Sequence, residues 1–117
     1  MSRYYECGSG WWPLIAETLN SIEDMGVKVH VEQIKEKFGG LRLYASLDGS
    51  PELVEKSFDL IGKAEAKSFE LCEYCGNPGS LMVTDVGWFK TLCPSCVETE
   101  FTSRGRNVHP YKPENMP

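Results

Sequence analysis

Apolar residues recur along the first part of the chain in two rhythms. Trp12, Ile15, Leu19 and Ile22 keep a 3-4-3 spacing, the mark of one helix face. Pro13 suits the first turn, where a missing N–H is no loss. Gly26 then predicts a left-handed stop, and the ten residues before Trp11 read as an irregular lead-in. Residues 27–31 and 41–47 alternate strictly, so each predicts a half-buried strand, with Leu41, Leu43, Ala45 and Leu47 inward. Between them the phase slips. Val31, Ile34 and Phe38 fit either a helical turn ending at Gly39 or a strand carrying a bulge. The favoured reading is a β-hairpin whose loop holds Phe38, Gly39 and Gly40. Ser50 as N-cap, Pro51 at the first helical position and Glu52 in the first turn open a second helix. Val54, Phe58, Ile61, Ala64, Ser68 and Leu71 share one face of it, predicting an amphipathic helix of about twenty residues that runs straight into Cys72.

There the chemistry changes. Cys72, Cys75, Cys93 and Cys96 form two Cys-x-x-Cys pairs separated by residues 76–92, a spacing that fits a four-thiolate zinc site. A tetrahedral ion with Zn–S bonds of about 2.3 Å needs two chelating corners that close on each other, and each pair supplies one. With every ligand place taken by sulfur, none is left for water, which marks a structural ion and not a catalytic one. A redox Cys-x-x-Cys would need a single pair in a βαβ context, which is absent. Gly76 suits the tight turn after the first pair. Residues 81–84 and 88–91 can form a short hairpin around Asp85, Val86 and Gly87. Cys93 and Pro94 read as N-cap and first position of a helix. Knuckle, hairpin, then helix is the treble-clef order.

The expected fold class is therefore α+β: helix, β-hairpin, long helix, then a treble-clef-like four-cysteine finger and a flexible C-terminal tail. The expected divisions are a body over 1–71, the finger over 72–101, and an extended or disordered tail over 102–117. A finger of about thirty residues cannot bury a sufficient core alone, so it should need its metal to fold.

Composition narrows the function classes. The 117 residues are 41% hydrophobic and 25% charged, suited to a folded domain. The formal charge is −5, and four thiolates around one dication make it more negative still. Such a chain has no general attraction for phosphate backbones; nucleic acid would need a local basic patch, and a protein partner is favoured. No apolar run reaches the roughly 20 residues of a membrane helix, and no signal-peptide pattern opens the chain. Cys7, left over beside the metal set, fits a reducing compartment, so a cytoplasmic location is expected. There is no phosphate loop, no nucleophile elbow and no His/carboxylate set spaced for an open metal site, so no enzyme is expected. His30 and His109 are not needed as ligands.

Three stretches stand out in combination: Gln33-x-Lys35-Glu36-Lys37-Phe38-Gly39-Gly40-Leu41-Arg42, Cys72-x-x-Cys75-Gly76-x-Pro78-Gly79, and Gly87-Trp88-x-x-Thr91-Leu92-Cys93-x-x-Cys96. Together with Gly10-Trp11-Trp12-Pro13-Leu14-Ile15 they resemble small proteins encoded in tailed phages and prophages. The resemblance implies a zinc site and a host-cell cytoplasmic setting, and no particular activity. The cysteine spacing, Leu92 and the hairpin aromatic also resemble GATA-type fingers, in which a basic tail beyond the helix touches DNA.

Two functions follow. One is a protein-binding adaptor or inhibitor of a host defence or transcription machine. Its contact would be Lys35, Lys37, Phe38, Gly39, Gly40 and Arg42, where cations crowd an exposed ring and glycines admit a close backbone approach. The competing reading folds Phe38 back onto the core, with the lysines solvating it. The other function is a DNA-binding regulator using the finger with Arg104 and Arg106, against which Glu98 and Glu100 on the finger helix would repel phosphate.

Overall fold

Two helices and two alternating strands, each apolar on one side, must share a core, and the body builds it by laying both helices on one sheet face. The structure is a computed structural model and describes residues 5–111. The lead-in is less irregular than expected: β1 (Tyr5–Glu6) pairs in parallel with β2 (Lys28–Lys37). β2 pairs antiparallel with β3 (Gly40–Asp48), giving the order β1-β2-β3. A 3-10 turn at Ser9–Trp11 leads into α1 (Trp12–Asp24), and Gly26 takes the left-handed stop at φ 88°. That turn shifts the apolar stripe by one residue. Trp11, not Trp12, joins Ile15, Leu19 and Ile22 in the core, while Trp12 is exposed and meets Tyr5 edge-on at 5.5 Å.

The phase slip between the strands is a bulge. Register shifts between Val31 and Gln33, which leaves Glu32 as the extra residue and returns Ile34 to the inner face. The loop is also tighter than expected, because Lys37 already pairs with Gly40 and only Phe38 and Gly39 turn the chain. α2 (Pro51–Ser68) starts as predicted, with the Ser50 hydroxyl accepting from the Leu53 N–H at 3.3 Å. Its inner face is Ser57, Ile61, Ala64 and Ser68; Phe58 points to solvent. Small residues let the helix lie close to β3, close enough for the Ser68 hydroxyl to accept from the Leu41 N–H at 2.9 Å. The helix stops at Ser68, so a turn through Phe69–Leu71 stands between it and Cys72.

The second half carries its own small core of Cys72, Met82, Leu92, Cys93 and Phe101. β4 (Ser80–Thr84) and β5 (Phe89–Leu92) form a hairpin, and α3 (Pro94–Glu100) follows. The expected free arm after residue 101 is not free over its described part. A 3-10 turn at Thr102–Arg104 and Gly105 at φ 74° reverse the chain, and β6 (Val108–Pro110) pairs antiparallel with β4. The prolines misled: Pro110 sits on the edge strand of a β5-β4-β6 sheet, where a missing donor is tolerated. Residues 112–117 of the expected tail lie outside the described residues. Among the described residues, no helix is long and apolar enough to cross a membrane.

Candidate metal centre

Four sulfur atoms are brought together by two local devices. After Cys72, the Gly76 N–H donates to the Cys72 carbonyl at 2.8 Å, and Gly76 at φ 82° turns the chain so that Cys75 faces back. Cys93 caps α3, with the Cys96 N–H donating to its sulfur at 3.4 Å. The β4–β5 hairpin carries one pair to the other. Cys72, Cys75, Cys93 and Cys96 are free thiols whose sulfurs all lie within 4.8 Å of one another, and the Cys75 and Cys93 sulfurs are 3.5 Å apart. A tetrahedron with metal–sulfur bonds of about 2.3 Å has edges of about 3.8 Å. The set fits, and it could hold a single metal ion.

Electrostatics agree with the geometry. The Cys96 amide holds the Cys93 thiol down to about 7, so one sulfur is ready to ionise near neutral pH. Burial and the neighbouring sulfurs push Cys96 well above the ordinary thiol range. Four negative charges in so small a space repel one another, and a dication removes that repulsion. Cys72 and Cys93 are buried, and the exposed member is Cys75.

The body hairpin docks on the finger next to this centre. The Thr91 hydroxyl, fully buried, donates to the Gly39 carbonyl at 2.7 Å. The Gly39 N–H donates to Glu36 at 2.7 Å, and Lys90 bridges Glu36 at 3.3 Å and Glu73 at 3.4 Å. Burial pulls the Lys90 ammonium down, but Glu73 and Glu36 outweigh it and raise its pKa. Glu73, itself only 3% exposed, also accepts from the Gly8 N–H at 2.9 Å. A Cβ on Gly39 would strike Leu81, and one on Gly40 would strike the Phe69 ring. These two glycines, expected to admit a partner's backbone, are buried within the chain: Gly39 admits the finger, and Gly40 admits Phe69 from the turn after α2.

Phe38 is different. Its φ is 54°, and its side chain is 65% exposed, touching Phe89 edge-on at 6.4 Å. It does not fold back on the core. Phe89 meets Tyr111 at 5.3 Å, and Trp88, 66% exposed, stands beside them. A cleft of about 430 Å³ opens between Glu36, Phe38, Trp88 and Lys90. Lys37 lies over the Phe38 ring at 5.7 Å. Lys35 and Arg42 face away from this cleft, opposite each other on the open side of the sheet. Arg104 is paired with Glu100 at 3.3 Å, and Arg106 lines a second cleft of about 540 Å³ behind Trp88. His30 is exposed, and His109 pairs with Asp85 at 3.1 Å. Both histidines stand apart from the four sulfurs. Sequence reasoning missed Trp88, Phe89 and Tyr111 as one edge. A tryptophan directly after the turn glycine Gly87 was the available signal, since a turn residue seldom finds a core to enter.

No family model, curated protein or solved structure matches the chain, so its reading rests on its own residues.

Proposed function

We propose that this chain is a non-enzymatic binding protein, stapled by one structural zinc ion, that grips a protein partner with the aromatic edge around Phe38. Zinc is the reading for the ion because four soft thiolates in a closed tetrahedral set select it. The order of turn, hairpin and helix around the sulfurs is that of a treble clef. The observation that carries the binding role is Phe38. A two-residue hairpin turn with both φ values positive is the place for asparagine or glycine. A bulky ring there costs on the order of 1–3 kcal/mol, and folding alone gives no reason to keep it so exposed. With Trp88 and Phe89 it makes the kind of rigid aromatic cluster that anchors protein interfaces.

If the chain is phage-encoded, as its motifs suggest, the partner is a host protein met in the cytoplasm, with a defence or transcription complex as the target. The DNA-regulator alternative is weaker: Arg104 is tied to Glu100, and α3 is short and carries Glu98. The test is crosslinking capture from host extract with wild type, Phe38→Asn, Trp88→Ser and, as control, the exposed α2 variant Glu55→Gln. Asparagine tolerates the left-handed turn, so Phe38→Asn should keep its zinc, measured by elemental analysis. A partner recovered by wild type and control but lost by both tip variants supports the proposal. Recovery of the same proteins by all four sinks it.

A further inference from the structure

The outer face of the β1-β2-β3 sheet carries a charge pattern at odds with the rest of this acidic chain. Lys35 and Arg42 are directly opposite each other across β2 and β3, and Lys37 follows two residues along on the same face. Like charges placed opposite on a sheet, with about 5 Å between their Cβ atoms, are unfavourable. Among the described residues, none of these three cations is within ion-pair distance of a carboxylate. The same face presents Tyr44, 42% exposed, with the Lys35 ammonium over its ring at 5.8 Å. Two acids of this face lie aside. Asp48 is opposite Lys28, and Glu32 takes the Ser46 hydroxyl, both toward the far end from the hairpin tip. Glu6, on the edge strand next to Lys35, takes the Gln33 amide at 3.5 Å.

We propose that this face binds single-stranded nucleic acid, with Lys35, Lys37 and Arg42 on successive phosphates and Tyr44 as a stacking platform for a base. Charge complementarity names an anion, and the aromatic ring names which one. An unpaired base has a free π-face that stacks on an exposed ring, whereas an acidic peptide has none and a duplex keeps its bases hidden. When a phosphate draws the Lys35 ammonium off the Tyr44 ring, the ring face is opened to the base. Lys37, whose ammonium lies over the Phe38 ring, borders both surfaces, but Lys35, Arg42 and Tyr44 stand away from the Phe38 cleft, so the site does not rest on the protein-partner reading.

The experiment is fluorescence anisotropy on the zinc-loaded protein with labelled oligo(dT) and oligo(rU) of about twelve nucleotides, within the site sizes of small single-strand binders. A duplex of equal length and a poly-glutamate peptide are the comparison probes. Binding should be to the single strands, with a log–log salt slope near about −2 between about 50 and 200 mM, as three displaced counterions require. Tyr44→Ala should weaken it at least about fivefold, the low end for loss of one stacked base. Lys35→Ala with Arg42→Ala should flatten the slope, while Trp88→Ser leaves binding unchanged. All variants should keep wild-type thermal stability and zinc content, since the side chains concerned face solvent. No single-strand binding at about 50 mM salt overturns the proposal. So does equal or tighter binding of duplex, preference for poly-glutamate, or a Tyr44→Ala variant that binds like wild type.

Discussion

Thr91→Val is the sharpest test of how the metal centre holds the hairpin tip. Threonine and valine have nearly the same shape, so the change deletes a hydroxyl without opening a cavity. Thr91 is fully buried, and its hydroxyl donates to the Gly39 carbonyl at 2.7 Å. Valine would leave that carbonyl facing a methyl group, and an orphaned buried acceptor costs about 1–3 kcal/mol. For a chain of this size, that is a fall of about 4–12 °C in Tm. Urea titration at constant free zinc gives the global value, because a change in zinc occupancy would otherwise shift stability by itself. Hydrogen exchange of the Gly39 amide, bonded to Glu36 beside the lost contact, gives the local one. Thr91→Ser keeps the donor, so its tip amides should exchange as slowly as wild type even if the lost methyl lowers global stability. A Thr91→Val protein within about 0.5 kcal/mol of wild type, with unchanged exchange at the tip, would refute the reasoning.

Three further outcomes follow from the structure. Cys75→Ser should lose stoichiometric zinc by elemental analysis and unfold residues 72–101, although Cys75 is the exposed member of the set; equal zinc content would remove the site. Trp11→Phe breaks the indole donation to the Leu71 carbonyl at 2.9 Å in a fully buried position, so denaturation should show a loss of about 2 kcal/mol or more, and a loss under about 0.5 would reassign Trp11 to simple filling. Burial, with Glu73 and Glu36 nearby, pushes the Cys7 thiol up from 9.0 to about 11, so at pH 7.5 its thiolate fraction, and its alkylation by iodoacetamide, should be about a hundredfold below that of an unshifted thiol. The rate should rise about tenfold per pH unit until about pH 11, as mass spectrometry of the zinc-loaded protein can follow; a plateau near pH 9 would contradict it.

How far the chain could be read in advance depends on the range of each signal. Period-two alternation placed β2 and β3 because it is imposed residue by residue on a half-buried sheet. The Cys-x-x-Cys pairs were legible because chelation demands short spacing whatever surrounds it. Phe58 was misassigned and Ser57 passed over because periodicity counts apolar residues, whereas α2 needed small ones to approach β3 closely enough for the Ser68–Leu41 hydrogen bond. Trp11 and Trp12 differ by one step along the chain, and only the 3-10 turn at Ser9–Trp11 decides which enters the core. The docking of Gly39 on Leu81 and Thr91 was beyond any local reading, since those partners lie far along the chain. What local pattern did report at the tip was the presence of two glycines, without saying whose backbone they admit.

The divide expected between residues 71 and 72 is where this distinction matters most, for hydrogen bonds cross it at several points although each half has its own core. Cys72 belongs to the metal set, yet its loop is also a floor for the body. Gly10 donates from its N–H to the Glu73 carbonyl at 2.8 Å, and any Cβ on Gly10 would strike the Cys72 carbonyl. From the same loop, the Glu73 N–H donates to the Thr91 carbonyl on β5 at 3.0 Å, while the Thr91 side chain reaches back to Gly39. The Glu73 carboxylate then joins Gly8 to Lys90, and Lys90 joins Glu36. A finger cut out at residue 72 would keep its four sulfurs but lose Gly8 and Glu36 from this network, with Glu73 left short of a partner in a site built to be buried. Breaking a buried ionic network on one side is costly even where forming it is nearly neutral. An ion held there would therefore do more than close a small module: by fixing Cys72 and Cys93 it would fix Glu73 and Thr91 beside them. Those two residues set where the body's helix begins and where its hairpin tip, with Phe38 upon it, comes to rest.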